Sequence, residues 1–483
     1  MAKKQVALVL SGGSSLGSYI AGALDELTRA FAASDQYEID IITGASAGAT
    51  TSAIISHGLL YRGGHTALHD VWVENIDIVD MLAPDLPAGE WPTVLNGRPV
   101  REQAEQTLAW PDPAKPGERA SFCAESLVVG MTLSNTQALP YISRLRQPAA
   151  GRDEIFVEYR TAEQESFYVG AGLAPTDPIW QRMGEVARAS AAIPFVFPMV
   201  RLARRAGEDF DDSQYIQKPN FTGEAQFWYT DGGMLNNLPV DLAWYHARKR
   251  DADPANRVVV VVNPWRPGSG TPALAPPHPG LLPHALGLLS AVMGESSALQ
   301  FDHEVVLRSL QAQPGGPPAD SGSLRALPGV DRAPVSLLSN FALVMPRAGD
   351  PPCHGAHMHA LAAFLDRRFR EYDFRRGAAD AQLAAREILG ITYDGGRPDG
   401  YYTPEQDPTL VADLSSYEAL DHIPSSRDPQ RSVRQVFEAA LDRRLDALAR
   451  TLNPPGPDAL VDPLLATLLK RYVRGQLPAA WHA

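Results

Sequence analysis

The stretch Ile42–Thr50, ITGASAGAT, holds a serine between two glycines at the spacing G-x-S-x-G, formed by Gly44, Ser46 and Gly48. A serine hydroxyl is a weak nucleophile until a neighbouring base takes its proton. One backbone geometry that offers it to a base is a sharp turn from a strand into a helix. Such a turn brings chain segments close together and needs small neighbours, which Gly44, Ala45, Ala47 and Gly48 supply. A helix starting at this point would aim the positive end of its dipole at the serine and favour the alkoxide. Ser46 is therefore a candidate nucleophile for acyl transfer; the plain alternative is a tight structural turn.

The base must come from elsewhere in the chain. Of the histidines downstream, His246, His303, His354, His357 and His359, none stands at a strand end in the order an α/β-hydrolase would require. Three of them cluster in CHGAHMH, which invites a metal reading. His357 and His359 are two apart and cannot share a helix face, and no carboxylate is spaced to assist, so no metal is expected. The run FWYTDGGMLNNLPV, Phe227–Val240, offers more. It reads as an aromatic strand ending in Asp231-Gly232-Gly233, and a carboxylate there, with glycines giving access, can orient and deprotonate a serine directly. A second DGG begins at Asp394, between glycine- and proline-rich turns, and reads as a solvent-facing turn.

A third segment, SGGSSLG at Ser11–Gly17, joins a strand to a helix, where backbone N–H groups face bound anions. It lacks the second glycine of G-x-G-x-x-G and the terminal G-K-[ST] of a P-loop. An oxyanion hole for a tetrahedral intermediate and a simple tight turn both remain open for it.

The elements that must carry these residues follow from apolar periodicity. Gln5–Leu10, Ile39–Thr43, Ser126–Met131, Ile155–Tyr159 and Val258–Asn263 read as buried strands. Ile20, Leu24, Leu27 and Phe31 recur at helical spacing, and Ala47 to about Leu60 suits a helix packed inside. Strands alternating with helices indicate a parallel α/β sheet covered on both faces. After Asn263 the composition changes. The expected division is a catalytic α/β domain over 1–265, a Pro/Gly-rich linker or loop over 266–283, and a mostly helical C-terminal region over 284–483 packed on the core. Helices are expected over Met358–Arg370 and Arg431–Arg450. The latter carries a stripe of Val433, Phe437, Leu441, Leu445 and Leu448 with Arg434, Arg443, Arg444 and Arg450 nearby, which fits a core-packed helix and also one resting on a membrane.

The chain has 483 residues, 45% hydrophobic and 20% charged, with net charge −13 and two cysteines far apart, Cys123 and Cys353. That charge would not capture nucleic acid or anionic lipid, and the cysteines suggest neither a disulfide framework nor a zinc site. The N-terminal apolar run is too short for a signal peptide, and no segment reaches the roughly 20 apolar residues of a membrane span. A cytoplasmic protein is expected.

Taken together, SGGSSLG (11–17), GASAG (44–48), ARASAAIPFVFP (187–198) and DGG (231–233) resemble the patatin-like phospholipase family across most of residues 5–265. FLDRRFREYDFRRG (364–377) also resembles, more weakly, the tail of longer bacterial members. The resemblance implies a three-layer α/β/α fold and a Ser–Asp dyad with Ser46 as nucleophile and Asp231 as base. It also implies an oxyanion hole from the N–H groups of Gly12, Gly13 and Ser14, and motif glycines at Gly17, Gly44, Gly48, Gly232 and Gly233. The implied activity is hydrolysis of a lipid ester through an acyl-enzyme, with no metal or organic cofactor and with peripheral membrane contact as an option. Ile193, Phe195, Val196 and Phe197 are candidates for an acyl channel, beside the plainer reading of a buried loop. The family loop runs G-G-G-x-[RK]-G, whereas here Ser14 replaces the third glycine and Leu16 the basic residue. The alternatives are an acyltransferase using the same serine and a weakly active or inactive lipid-binding member.

Overall fold

The computed structural model describes residues 3–64, 67–85, 92–108, 117–147, 152–170, 172–205, 221, 223–250, 256–265, 288, 291–292, 296, 341–347, 350–393, 404–452 and 461–481. The linker expected at 266–283, together with Asp394, His303 and the side chain of His359, lies outside the described residues.

Eight strands form one mixed sheet: β1 (Lys4–Leu10), β2 (Tyr37–Gly44), β3 (Cys123–Gln147), β4 (Arg152–Gly170), β5 (Val200–Arg205), β6 (Glu224–Thr230), β7 (Arg257–Val262) and β8 (Phe341–Val344). Their order is β5-β6-β3-β2-β1-β7-β8, with β4 paired to β3 off this path. The pairs β3–β2, β2–β1, β1–β7 and β7–β8 are parallel, and those involving β4, β5 and β6 are antiparallel.

Burial on both faces explains the continuous apolar runs of the central strands. Along β1, Val6, Leu8 and Leu10 belong to the main core, while Ala7 and Val9 join a second cluster on the opposite face with Val240, Ala243 and Trp244. The first face is covered by α1 (Gly17–Ala32), α2 (Ala47–Tyr61) and, further along the chain, α5 (Pro178–Ser190); the second by α6 (Val240–Arg250). Two faces, two helical covers and one sheet make the expected α/β/α sandwich. Two shorter helices, α3 (Ile78–Met81) and α4 (Arg98–Leu108), lie between α2 and β3. Asp40, the acid in the apolar run of β2, sits where the β1–β2 register shifts and forms a two-pronged bond to buried Arg257 at 2.7 and 2.9 Å.

Three expectations change. The sheet does not end at residue 265, because β8 adds parallel to β7 with Val259 opposite Phe341. The strands foreseen at 126–131 and 155–159 are parts of a long antiparallel hairpin, β3 and β4, reaching well beyond the parallel sheet. The helix foreseen over Met358–Arg370 is broken into a short helix His357–Ala360, a 3-10 turn Ala362–Leu365 and a helix Arg367–Glu387. Asp366 causes the restart: its extended backbone stops the turn and its carboxylate caps the N–H of Arg368.

The C-terminal helices are Arg367–Glu387, Val433–Leu452 and Val461–Trp481. Arg367–Glu387 lies against α1 at very short range: a Cβ on Gly22 would fall 1.8 Å from the carbonyl oxygen of Phe374, and one on Gly377 2.0 Å from that of Tyr19. The apolar stripe of Val433–Leu452 is buried in the main core, so that face is not available to a membrane. Arg444 on the same helix is also buried and donates to the carbonyls of Ala83, Asp85, Thr93 and Val94. Among the described residues, no helix is long and apolar enough to cross a membrane.

Candidate active site

Ser46 stands where β2 turns into α2, with φ 52° and ψ −120°. A positive φ on a residue with a Cβ costs on the order of 1–3 kcal/mol and persists only where surrounding contacts enforce it. Here they do. Ala45 N–H donates to Leu10 O at 3.2 Å, and Ser46 N–H donates to the buried Ser190 Oγ at 3.0 Å. A Cβ on Gly48 would lie 2.3 Å from Leu10 O, so the helix start can press against β1 only as glycine.

Asp231 reaches the same point from the end of β6, across β3. β3 continues past Met131, its last partner on β2, and pairs at Ser134 and Asn135 with β6 running the other way. The end of β6 is thereby turned back toward Ser46. A Cβ on Gly232 would lie 2.1 Å from Thr132 O, so the chain leaves Asp231 hard against β3. Asp231 N–H donates to Ala192 O at 2.9 Å, and its Oδ1 accepts the Gly233 N–H at 2.7 Å. Its Oδ2 accepts the Ser46 hydroxyl at 2.6 Å. Both side chains are buried, at 1% exposure for Ser46 and 0% for Asp231. Burial pushes the Asp231 carboxyl up to about 7, against the opposing pull of its bonds from Ser46 and Gly233. A carboxylate near 7 is a far better proton acceptor than one at its ordinary value.

The candidate histidines among the described residues, His246, His354 and His357, have other neighbours. His354 stacks on Tyr372 with ring centres 3.8 Å apart, His357 stacks on Trp481, and His246 Nε2 lies 2.9 Å from Ser166 Oγ. Among the described residues no group of three or more His, Cys, Asp or Glu is placed to hold a metal.

The loop after β1 passes directly over Ser46: a Cβ on Gly12 would fall 3.0 Å from that of Ser46. Its three expected donors are not equivalent. Gly12 N–H is already bonded to Asn237 O at 3.0 Å, which corrects its placement in an oxyanion hole. Gly13 opens a 3-10 turn, Ser14–Leu16, whose first N–H groups have no side-chain cap. Leu16, where the family pattern has a basic residue, is fully buried, and a Cβ on Gly355 would lie 2.9 Å from its Cδ2. A cation at position 16 would be entombed under that C-terminal turn, so an apolar side chain fits.

A cavity of about 280 Å³ opens on Ser46 and Ser14. Trp72, Ile76, Val100, Ile193, Phe197 and Phe364 give it an apolar lining, and Arg188 and Arg201 are also on its wall. Of the four residues foreseen as a channel, Ile193 and Phe197 line it. Val196 is packed in the core instead, and Phe195 is 75% exposed with φ 67°, because the turn after Pro194 rotates it outward. Two structural roles were missed from sequence. Ser190 and Ala192, within ARASAAIP, hold the backbones of Ser46 and Asp231 respectively. The small residues of that motif were its only signal.

A family model described as patatin-like phospholipase matches residues 8–244. An uncharacterized protein, y4iI, of Sinorhizobium fredii (strain NBRC 101917 / NGR234) is 25% identical over 385 residues, covering 61% of this chain and 53% of its own length. The chain thus spans about half the length of that relative. The crystal structure of VipD from Legionella pneumophila aligns over 100% of this chain and 89% of that chain, at 12% identity and a TM-score of 0.32.

Proposed function

Residues 8–244 are a patatin-like phospholipase domain, and from that premise we propose that the chain is a lipid acyl hydrolase using Ser46 as nucleophile and Asp231 as base. The observation that carries this is the 2.6 Å bond from the Ser46 hydroxyl to the buried Asp231 carboxylate at the wall of an apolar cavity. As Ser46 Oγ attacks the ester carbonyl carbon, its proton passes to Asp231 Oδ2, and the carbonyl oxygen becomes an oxyanion facing the N–H groups of Gly13 and Ser14. Collapse of that intermediate breaks the bond to the leaving alcohol, which takes the proton from Asp231. Water then gives a proton to Asp231 and attacks the acyl-enzyme, releasing a carboxylic acid and restoring Ser46.

The cavity suits an amphiphile. Its apolar lining matches an acyl chain, and Arg188 and Arg201 match a phosphate-bearing head. Contact with a lipid surface belongs to Phe195, an exposed aromatic close in sequence to the cavity-lining Ile193 and Phe197.

Intact mass after treatment with an alkyl fluorophosphonate tests the assignment. One adduct is expected on the wild type, none on Ser46→Ala, and much slower labelling on Asp231→Asn. A wild type that binds phospholipid vesicles yet takes no label and hydrolyses no ester would instead be a lipid-binding protein.

A further inference from the structure

Ser14 combines three observations that the dyad does not use. It occupies a position where φ is 48°, in the left-handed region that glycine enters freely and serine does not. Its side chain is 8% exposed, and among the described residues its Oγ has no hydrogen-bond partner. It lines the same cavity as Ser46. A buried hydroxyl left unpaired is destabilising, and the strained backbone adds to that. Packing alone would be served better by glycine, which removes both costs.

From this geometry we infer that the Ser14 hydroxyl is a catalytic donor to the oxyanion, supplementing the backbone N–H groups of Gly13 and Ser14. The loop needs such a donor because Gly12 N–H is bound to Asn237 O and cannot turn to the substrate. A donor that meets its partner as the oxyanion forms lowers the barrier without tightening substrate binding. This rests on the acyl-hydrolase reading and assigns one more group to its reaction.

The test compares wild type, Ser14→Gly and Ser14→Ala in turnover of a soluble p-nitrophenyl ester, in fluorophosphonate labelling and in thermal unfolding. Glycine relieves the strain and removes the hydroxyl; alanine removes the hydroxyl and keeps the strain. Both variants are expected to lose about 100-fold in kcat with little change in KM, the effect of removing one oxyanion donor. Ser14→Gly is expected to melt at a higher temperature than the wild type while being slower, a pair of opposite changes that a structural role would not produce. Wild-type kcat in Ser14→Gly, with labelling of Ser46 intact, would overturn the inference and leave the hydrolase standing. A wild type that neither labels nor turns over would remove both.

Discussion

The carboxylate of Asp231 accepts two hydrogen bonds, from the Ser46 hydroxyl and the Gly233 N–H, and burial raises its proton affinity to about 7. Two consequences share that cause. As a base, Asp231 must be ionised, so kcat/KM for a soluble ester is expected to fall about tenfold per pH unit below roughly pH 6 and to level off above pH 8. A profile flat down to pH 5 would disqualify Asp231 as the base. For stability the sign is reversed. The unfolded chain ionises this group near its ordinary value and the folded chain only near 7, so folding weakens as pH rises between those values, and the cost is complete above 7. Asp231→Asn, isosteric and uncharged, is therefore expected to be more stable than the wild type at pH 8. The advantage should vanish toward pH 4, and urea unfolding at the two pH values measures it. On the proposed mechanism, the Ser46–Asp231 pair is a place where stability has been given up for chemistry.

Two turns and a loop, each at the end of a strand, meet at the site, and each is held by a different segment. The elbow at Ser46 leans on β1 and on Ser190; the turn at Asp231 leans on β3 and on Ala192. The glycine loop is backed by the C-terminal segment, where Ser15 Oγ accepts the Ala363 N–H at 3.2 Å and Leu16 lies under Gly355. The buried carboxylate of Asp373 in turn accepts the N–H groups of His354 and Gly355 at 2.6 and 2.7 Å and fixes that turn. The helix Arg367–Glu387 carries Asp373 and rests on α1 through Gly22 and Gly377. Gly22→Leu would drive a side chain into the Phe374 carbonyl, and a stability loss of about 3 kcal/mol by urea unfolding is expected. Because α1 begins at the end of the glycine loop, ester turnover should fall as well. Unchanged stability would mean that this helix pair is looser than its geometry.

At the scale of the whole molecule, residues beyond the family match complete the site. Phe364 lines the cavity that holds Ser46, as do Trp72 and Ile76 of the segment after α2. The buried guanidinium of Arg370 ties these two pieces, donating to Val73 O at 2.9 Å, Phe364 O at 3.2 Å and Ala363 O at 3.3 Å. Phe364→Ala enlarges the cavity without touching the dyad. Its optimum across a series of p-nitrophenyl esters is expected to move to longer acyl chains. An unmoved optimum would separate Phe364 from the acyl-binding surface.

The sequence by itself determined the buried central strands and the elbow at Ser46, and it pointed to Asp231 rather than a histidine as the partner of the Ser46 hydroxyl. These are local matters: burial on both faces dictates unbroken apolar runs, and a strained turn dictates small residues around the serine. Only the tertiary structure decided how far β3 extends and so how an antiparallel β6 delivers Asp231 to a serine 185 positions earlier. It alone placed β8 in the sheet, turned Phe195 to solvent, used up the Gly12 N–H on Asn237 and brought Phe364 to the cavity. Each of these depends on which distant group meets a given atom, and a period or a spacing along one chain carries no record of that meeting.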